Sequence, residues 1–127
     1  MTKGGSLPED VDVAHYMEHY LPRALNRHGE RLAGFDCELQ FDITGVGGGS
    51  WALTVKDRAA SIVTGRAAAP RCTFQVSAAD WIDLVRGRLG GPMAFMTGRF
   101  KVSGDYFFAM RLGTEIMGAL SSRDRGP

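Results

Sequence analysis

His15-Tyr-Met-Glu-His19 is the one stretch of this chain that matches a catalytic pattern. Read as H-x-x-E-H on a helix, it sets His15 and His19 one turn apart, where both imidazoles reach one metal ion and Glu18 serves as base. That is zinc hydrolase chemistry. Three features weigh against it. The segment lies near the start of a small sequence. No helical glutamate cluster downstream offers a third ligand. Its flanks read as an ordinary amphipathic helix with both histidines at or near the solvent side. Short motifs recur by chance, so a zinc hydrolase using His15, Glu18 and His19 is the remote alternative, and no metal or cofactor is expected.

The other reactive residue types lead no further. Gly45-Val-Gly-Gly-Gly-Ser50 resembles a phosphate loop only in its glycines: it lacks the Gly-Lys-Ser/Thr ending and leads into a strand. Cys37 and Cys72 are far apart in sequence and have no activating neighbour, so they read as free buried thiols. No Ser/His/Asp arrangement stands out. The chain is not expected to be an enzyme.

The elements that must position these residues follow from periodicity. Residues 1–7 read as a flexible N-terminus, 8–120 as one domain and 121–127 as a flexible tail. Ser6 with Glu9 has capping-box spacing, and Pro8 suits a first turn. Val11, Ala14, Met17, Tyr20 and Leu21 then recur at helical spacing. Pro22 predicts a kink or break, followed by a second helical piece that carries Leu25 and Leu32 and stops at Gly34.

Cys37, Leu39, Phe41 and Ile43 alternate with Glu38, Gln40, Asp42 and Thr44, which predicts a strand with one core face and one face towards water. The glycine run forms a hairpin loop, and Trp51, Leu53 and Val55 resume the alternation. Asp57-Arg58 turns the chain, with Arg58 where a two-residue turn prefers Gly or Asn. Residues 59–67 read as a third strand and Cys72, Phe74 and Val76 as a fourth. A helix opens at Ser77 with Trp81, Leu84, Val85 and Leu89 on one face. A short helix follows from Pro92, then a fifth strand at Phe100 and Val102, and a last helix capped at Gly104-Asp105.

At 127 residues, 44% hydrophobic and 23% charged, the chain suits one ordinary globular domain. A net charge of +1 gives no reason to expect nucleic acid. The N-terminus has no apolar signal region, the longest apolar run is Tyr106–Met110, and the expected location is cytoplasmic. What stands out is residues 91–120, with four of the six methionines and four of the seven phenylalanines. Around the last helix an arc of about 200° carries no charge, whereas packing on a sheet needs a stripe of about 100°. The excess must meet a second helix, a second chain or an apolar ligand.

Phe41-Asp-Ile-Thr-Gly-x-Gly-Gly-Gly-Ser-Trp51, Leu53-Thr-Val-Lys-Asp57 and Ala94-Phe-Met-Thr-Gly-Arg-Phe-Lys-Val-Ser-Gly-Asp105 together carry a resemblance. The chain resembles a stand-alone, bacterial-type member of the sterol carrier protein 2 family over nearly its whole length. The resemblance implies an α/β (α+β) domain with a five-stranded mixed β-sheet covered on one face by helices. It also implies a hydrophobic tunnel between sheet and helices that takes fatty acids, acyl-CoA esters, sterols or related lipids without catalysis. The first and fourth strands would be neighbours, bringing Cys37 and Cys72 close. Arg58 departs from the glycine common in the family, and no peroxisomal signal ends the sequence.

The leading reading is thus non-enzymatic binding, and transfer between molecules, of a lipid-like ligand. The expected lining is the inner strand faces with Trp81, Val85, Leu89, Met93, Met96, Phe100, Phe107, Phe108, Met110, Ile116 and Met117. Phe107 is the odd apolar residue in a polar sector, suited to cover a mouth or make transient contact with a membrane. Arg86, Arg88 and Arg111 are candidates for an anionic head group. The competing reading is an interaction module: a homodimer, or an accessory domain of a lipid-handling enzyme, with the apolar arc as its interface.

Overall fold

A computed structural model describes residues 12–121. The expected Ser6–Glu9 cap, Pro8, Val11 and the terminal segments lie outside those residues, except that Ser121 closes the last helix. The core of the fold is a mixed sheet of β1 (Cys37–Thr44), β2 (Gly49–Lys56), β3 (Ala59–Thr64), β4 (Cys72–Ser77) and β5 (Phe100–Gly104). The spatial order is β3-β2-β1-β4-β5. The β1–β4 pair is parallel and the other pairs are antiparallel. Only a crossover can join parallel neighbours, and this topology makes β1 the central strand, flanked by β2 and β4.

Register brings the apolar halves of the alternation onto one face. Leu39 sits between Leu53 and Cys72, Phe41 between Trp51 and Phe74, and Val102 lies beyond Phe74. Every one of these residues except Val102 is buried, and Val102 is half-buried. Gln40, expected to face water, is instead 0% exposed. The connector after β3 crosses the outer face of β1 there. Gln40 Nε2 donates to the Gly65 carbonyl at 3.1 Å, and its Oε1 accepts the Ala67 N–H at 2.7 Å. A buried amide is stable because both ends are satisfied.

Helices cover the apolar face. The first runs without a break through α1 (Val13–His15), a π-helical turn (Tyr16–Tyr20) and α2 (Leu21–Arg27). Asp12 caps it, accepting the His15 N–H at 2.7 Å. No break occurs at Pro22. The wider turn before it, with the Leu21 N–H bonded to the Tyr16 carbonyl, accommodates the residue that lacks an N–H. Val13 and Tyr16, not Ala14, join Met17, Leu21 and Leu25 on the buried side. Full burial of each such side chain contributes about 1.5–3 kcal/mol. The helix stops at Arg27, short of Gly34, and Gly29–Leu32 forms a separate 3₁₀ turn. Beyond β4 come α3 (Ala78–Val85), α4 (Gly91–Met96) and α5 (Tyr106–Ser121). Ser77 caps α3 by accepting the Asp80 N–H, and Asp105 caps α5 by accepting the Phe108 N–H, each at 3.1 Å.

The two hairpin loops meet their backbone demands differently. Gly48 has no room for a side chain: a Cβ there would meet the Ile43 carbonyl oxygen at 2.0 Å. Asp57 and Arg58 form the two-residue β2–β3 turn with φ of 52° and 64°, so Arg58 occupies the left-handed region that the hairpin demands.

Candidate functional site

Between the β1/β4/β5 side of the sheet and α3, α4 and α5 lies a cavity of about 380 Å³. That volume is near the lower end of the roughly 300–1,000 Å³ of small-molecule sites. Its floor is buried: Phe41 and Phe74 from the sheet, Trp81 and Leu84 from α3, and Ala109 and Ile116 from α5. Its rim is exposed, with Pro92 and Met96 from α4 and Met110 and Thr114 from α5. Gly91, Phe95, Phe100, Val102, Gly113 and Met117 complete the wall. No charged side chain lines it.

The aromatic floor is continuous. Phe41 stacks on Phe74 at 5.3 Å between ring centres and Phe74 on Phe100 at 5.5 Å. Trp81 tilts against Phe41 at 5.9 Å and meets Tyr16 edge-on at 6.0 Å. Such contacts hold rings rigidly at little entropic cost. An enclosure of this kind recognises a ligand by apolar contact area.

The unusual apolar arc of α5 now divides in two. On the helical wheel Phe108, Leu112 and Ala119 share one sector and are buried. Ile116, Ala109, Gly113, Met117, Met110 and Thr114 follow in angular order and all face the cavity. That second arc spans about 160°, so the apolar excess of α5 is mostly cavity wall.

A family model for the SCP-2 sterol transfer family matches residues 17–116. The chain belongs to that family. The solution structure of the sterol carrier protein domain 2 of Helicoverpa armigera superposes with a TM-score of 0.74 at 26% identity, covering 97% of this chain and 98% of that one. The apo sterol carrier protein 2 of Yarrowia lipolytica shares the fold, with a TM-score of 0.66 at 21% identity over 94% of this chain and 98% of that one. Among curated proteins, the peroxisomal multifunctional enzyme A of Dictyostelium discoideum is 37% identical over 71 residues, 55% of this chain. The match spans only 16% of that enzyme, so there the module is one part of a longer protein. Membership in the sterol transfer family supports lipid binding or transfer as the general function, carried by a module that is non-catalytic in itself.

In this family member the structure brings Trp81, Met96, Phe100, Met110, Ile116 and Met117 to one cavity. It does not bring Val85, Leu89, Met93, Phe107 or Phe108 there. Val85 ends α3, half-buried against the core, and Leu89 lies beyond Gly87, where the helix has already stopped. Met93 is 57% and Phe107 80% exposed, on outward sides of their helices. Phe108 packs edge-on against Phe35 at 5.7 Å with the Arg71 guanidinium 3.8 Å above its ring. Leu84, Phe95, Ala109 and Gly113 were not among the expected lining residues. Nothing in their types distinguishes them from core or spacer positions; the signals were positional, Leu84 sharing the helix face of Trp81, Phe95 lying in the short helix between Met93 and Met96, and Ala109 and Gly113 falling within the α5 arc.

The polar candidates separate in the same way. Glu18 accepts the indole N–H of Trp51 at 3.1 Å and the Thr64 hydroxyl at 3.2 Å. His15 and His19 lie exposed with their rings tilted against each other at 4.6 Å, and no three His, Cys, Asp or Glu side chains among the described residues form a metal-holding group. Arg88 pairs with Asp83 at 3.8 Å. Arg111 lies over Phe35, 5.2 Å from its centre, beside a shallow hollow that also holds Arg31 and Glu115 and shares Thr114 with the cavity. Cys37 and Cys72 lie on neighbouring strands and both are free. Cys72 pairs with Leu39, which offsets it diagonally from Cys37 by two residues. No helix among the described residues is long and apolar enough to cross a membrane.

Proposed function

We propose that this chain is a non-enzymatic carrier that holds one lipid-like molecule in the cavity under α5 and exchanges it at membranes. The observation that carries this reading is the cavity lining: aromatic and aliphatic side chains on every wall, with no charge. Such a lining selects by contact area and suits a fatty acyl chain or another elongated apolar body. Met96, Met110 and Met117 add adaptable walls, which favours tolerance of several ligands.

Exchange at a membrane is supported by the rim. Met93, Met96, Tyr106, Phe107 and Met110 are large apolar side chains left exposed on α4 and the first turns of α5. Met96 and Met110 stand on the rim of the cavity, and Arg99, Lys101 and Arg111 are exposed close by in sequence. An exposed apolar cluster with basic neighbours suits anionic lipid surfaces.

Native mass spectrometry of protein prepared without detergent, followed by extraction, tests the carrier reading. The expected result is one apolar molecule per chain, or uptake of one long-chain fluorescent probe by a chain that starts empty. A protein that neither retains nor takes up any such molecule overturns it. A dimer whose contact surface is the α4–α5 rim would favour an interaction module instead.

A further inference from the structure

The floor of the cavity is nearly closed to solvent. Phe41, Phe74, Trp81 and Ile116 line it and are each only 1–3% exposed, so even water scarcely touches them. A ligand that packs on this floor has to separate the wall elements further than they stand.

The walls differ in how firmly they are held. Helix α3 buries Trp81 and Leu84, and α5 buries Phe108, Ala109, Leu112, Ile116 and Ala119. The six-residue α4 supplies Pro92, Phe95 and Met96 to the wall but buries only Ala94. The Phe95 ring meets Tyr106, itself exposed, at 5.9 Å, and Met93 and Met96 stand in solvent. A segment with so little buried apolar contact opens at lower cost than its neighbours.

The two ends of α4 are built differently. At the C-terminal end the Thr97 and Gly98 N–H groups donate to the Met93 and Phe95 carbonyls at 3.0 and 3.2 Å, and the Arg99 N–H donates to the Ala94 carbonyl at 2.9 Å. The Thr97 hydroxyl adds a bond to the Met93 carbonyl at 2.8 Å. Gly98 is required there by its φ of 79°. This end runs directly into β5.

At the N-terminal end stand Gly90 and Gly91, and neither is required by the closed structure. Neither has a positive φ, and a Cβ on either would meet no atom within 4 Å. Gly90 has φ −73° and ψ 143°, angles open to any residue, and it caps α4 with no side-chain hydrogen bond. Ser, Asp or Asn would cap better at position 90, and Ala would favour the helix at position 91. What glycine adds is the freedom to leave these angles. Leu89, immediately before the pair, is buried and anchors the chain.

We propose that α4 is a hinged lid. It tilts away from α3 and α5 on Gly90–Gly91 to admit a ligand to the floor, and closes over it. Hinges of this kind are a few residues at the end of an element, often small ones. The lid rests on the carrier reading and adds to it the part that moves and the place where it bends.

Stopped-flow binding of a long-chain fluorescent probe to the full-length protein tests the hinge, with Gly90→Ala and Gly90→Pro. Gly90 is not part of the cavity wall, and its φ suits both substitutions. Association and dissociation pass through the same opening. Both rates are therefore expected to fall at least about threefold in Gly90→Ala and further in Gly90→Pro, with Kd unchanged. A second measurement needs no ligand. Ala94 is 0% exposed beneath the lid and Cys72 is 1% exposed in the sheet. The thiol of Ala94→Cys is expected to be alkylated at least about tenfold faster than Cys72, because α4 opens without the sheet, and to be slowed by Gly90→Ala. Probe rates unchanged in both Gly90 variants overturn the hinge, as does an Ala94→Cys thiol no more reactive than Cys72. If Gly90→Pro does not fold, Gly90→Ala and the labelling decide. Should the wild type take up no probe, the carrier reading fails, while the labelling still reads whether α4 opens.

Discussion

The indole N–H of Trp51 donates to the Glu18 carboxylate at 3.1 Å, and the Thr64 hydroxyl donates to the same oxygen at 3.2 Å. One side chain of the first helix thus clasps two neighbouring strands. Glu18→Ala leaves the buried indole donor unpaired and is expected to cost about 1–3 kcal/mol. Glu18→Gln keeps an acceptor and is expected to cost less. Urea unfolding monitored by tryptophan emission distinguishes the two variants; equal stability of wild type and Glu18→Ala would show that the clasp contributes nothing.

Gly113 separates stability from ligand uptake. It lies inside α5 on the cavity wall, and a Cβ there would meet no atom within 4 Å. Gly113→Ala is expected to stabilise the protein by about 0.5–1 kcal/mol through helix propensity. Gly113→Phe puts a ring into the cavity and is expected to weaken binding of a long-chain fluorescent probe at least about tenfold, or 1.4 kcal/mol, while the fold persists. Thermal melting and probe titration on the same samples check both effects. Undiminished uptake by Gly113→Phe would place the ligand elsewhere.

Two carboxylates shape the acid limb of stability. The Phe108 backbone N–H, helped by the Arg71 and Arg111 guanidinium groups, outweighs desolvation and holds Asp105 below the usual aspartate range. Desolvation raises Asp42, but hydrogen bonds from Arg66, Ser50 and Gln40 outweigh it and the net direction is also down. A carboxylate with a lowered folded-state pKa contributes stability that is present above its unfolded value of about 3.9 and is lost as pH falls through the folded value. Melting temperature is therefore expected to drop on acidification below about pH 4, and to drop less in Asp42→Asn. An identical acid profile for that variant would contradict the assignment.

The cysteines have the opposite sign. Burial is the main cause that pushes Cys37 and Cys72 each up to about 11. The thiolate is the reactive form, so both are expected to resist alkylation in the native protein at neutral pH and to react readily in urea. Stability from these groups is full below the ordinary thiol pKa and falls as pH rises through about 11. Mass shifts after timed alkylation read the first effect. Their diagonal offset on adjacent strands corresponds to about 7–8 Å, beyond comfortable disulfide reach, so the intact mass is expected to stay that of the dithiol.

Arg58 is a local cost of the hairpin. Its φ of 64° is one that glycine adopts freely and other residues do not. Arg58→Gly is expected to stabilise the protein by about 0.5–1 kcal/mol, because relief of about 1–2 kcal/mol of left-handed strain exceeds glycine's extra unfolded-state entropy. A melting temperature unchanged or lowered would show that the Arg58 side chain makes a compensating contact.

Much of the architecture was legible before any coordinates. The strict alternation of Cys37–Thr44 and Cys72–Ser77, the Ser77 and Asp105 caps and the glycine hairpin each obey a local rule, and each stands in the fold as the rule requires. Gln40 was the exception, because its environment is made by residues 65–67 crossing from another part of the chain. The π-helical turn before Pro22 depends on its surroundings in the same way. Proline excludes one hydrogen bond, but whether the helix breaks or widens depends on what packs against Met17 and Leu21.

The sequence by itself determined that α5 has more apolar surface than a sheet can use, since periodicity alone places Phe108, Leu112 and Ile116 beside Gly113, Met117 and Met110. Tertiary structure alone decided how that surface is shared. Phe108 and Leu112 are filled in by neighbours, whereas Gly113, Met117 and Met110 face a void. A buried face and a cavity wall have the same composition. They differ only in how far one element stands from the next, and that distance is set by Trp81, Phe41 and Phe74 meeting across three elements, which no local pattern encodes.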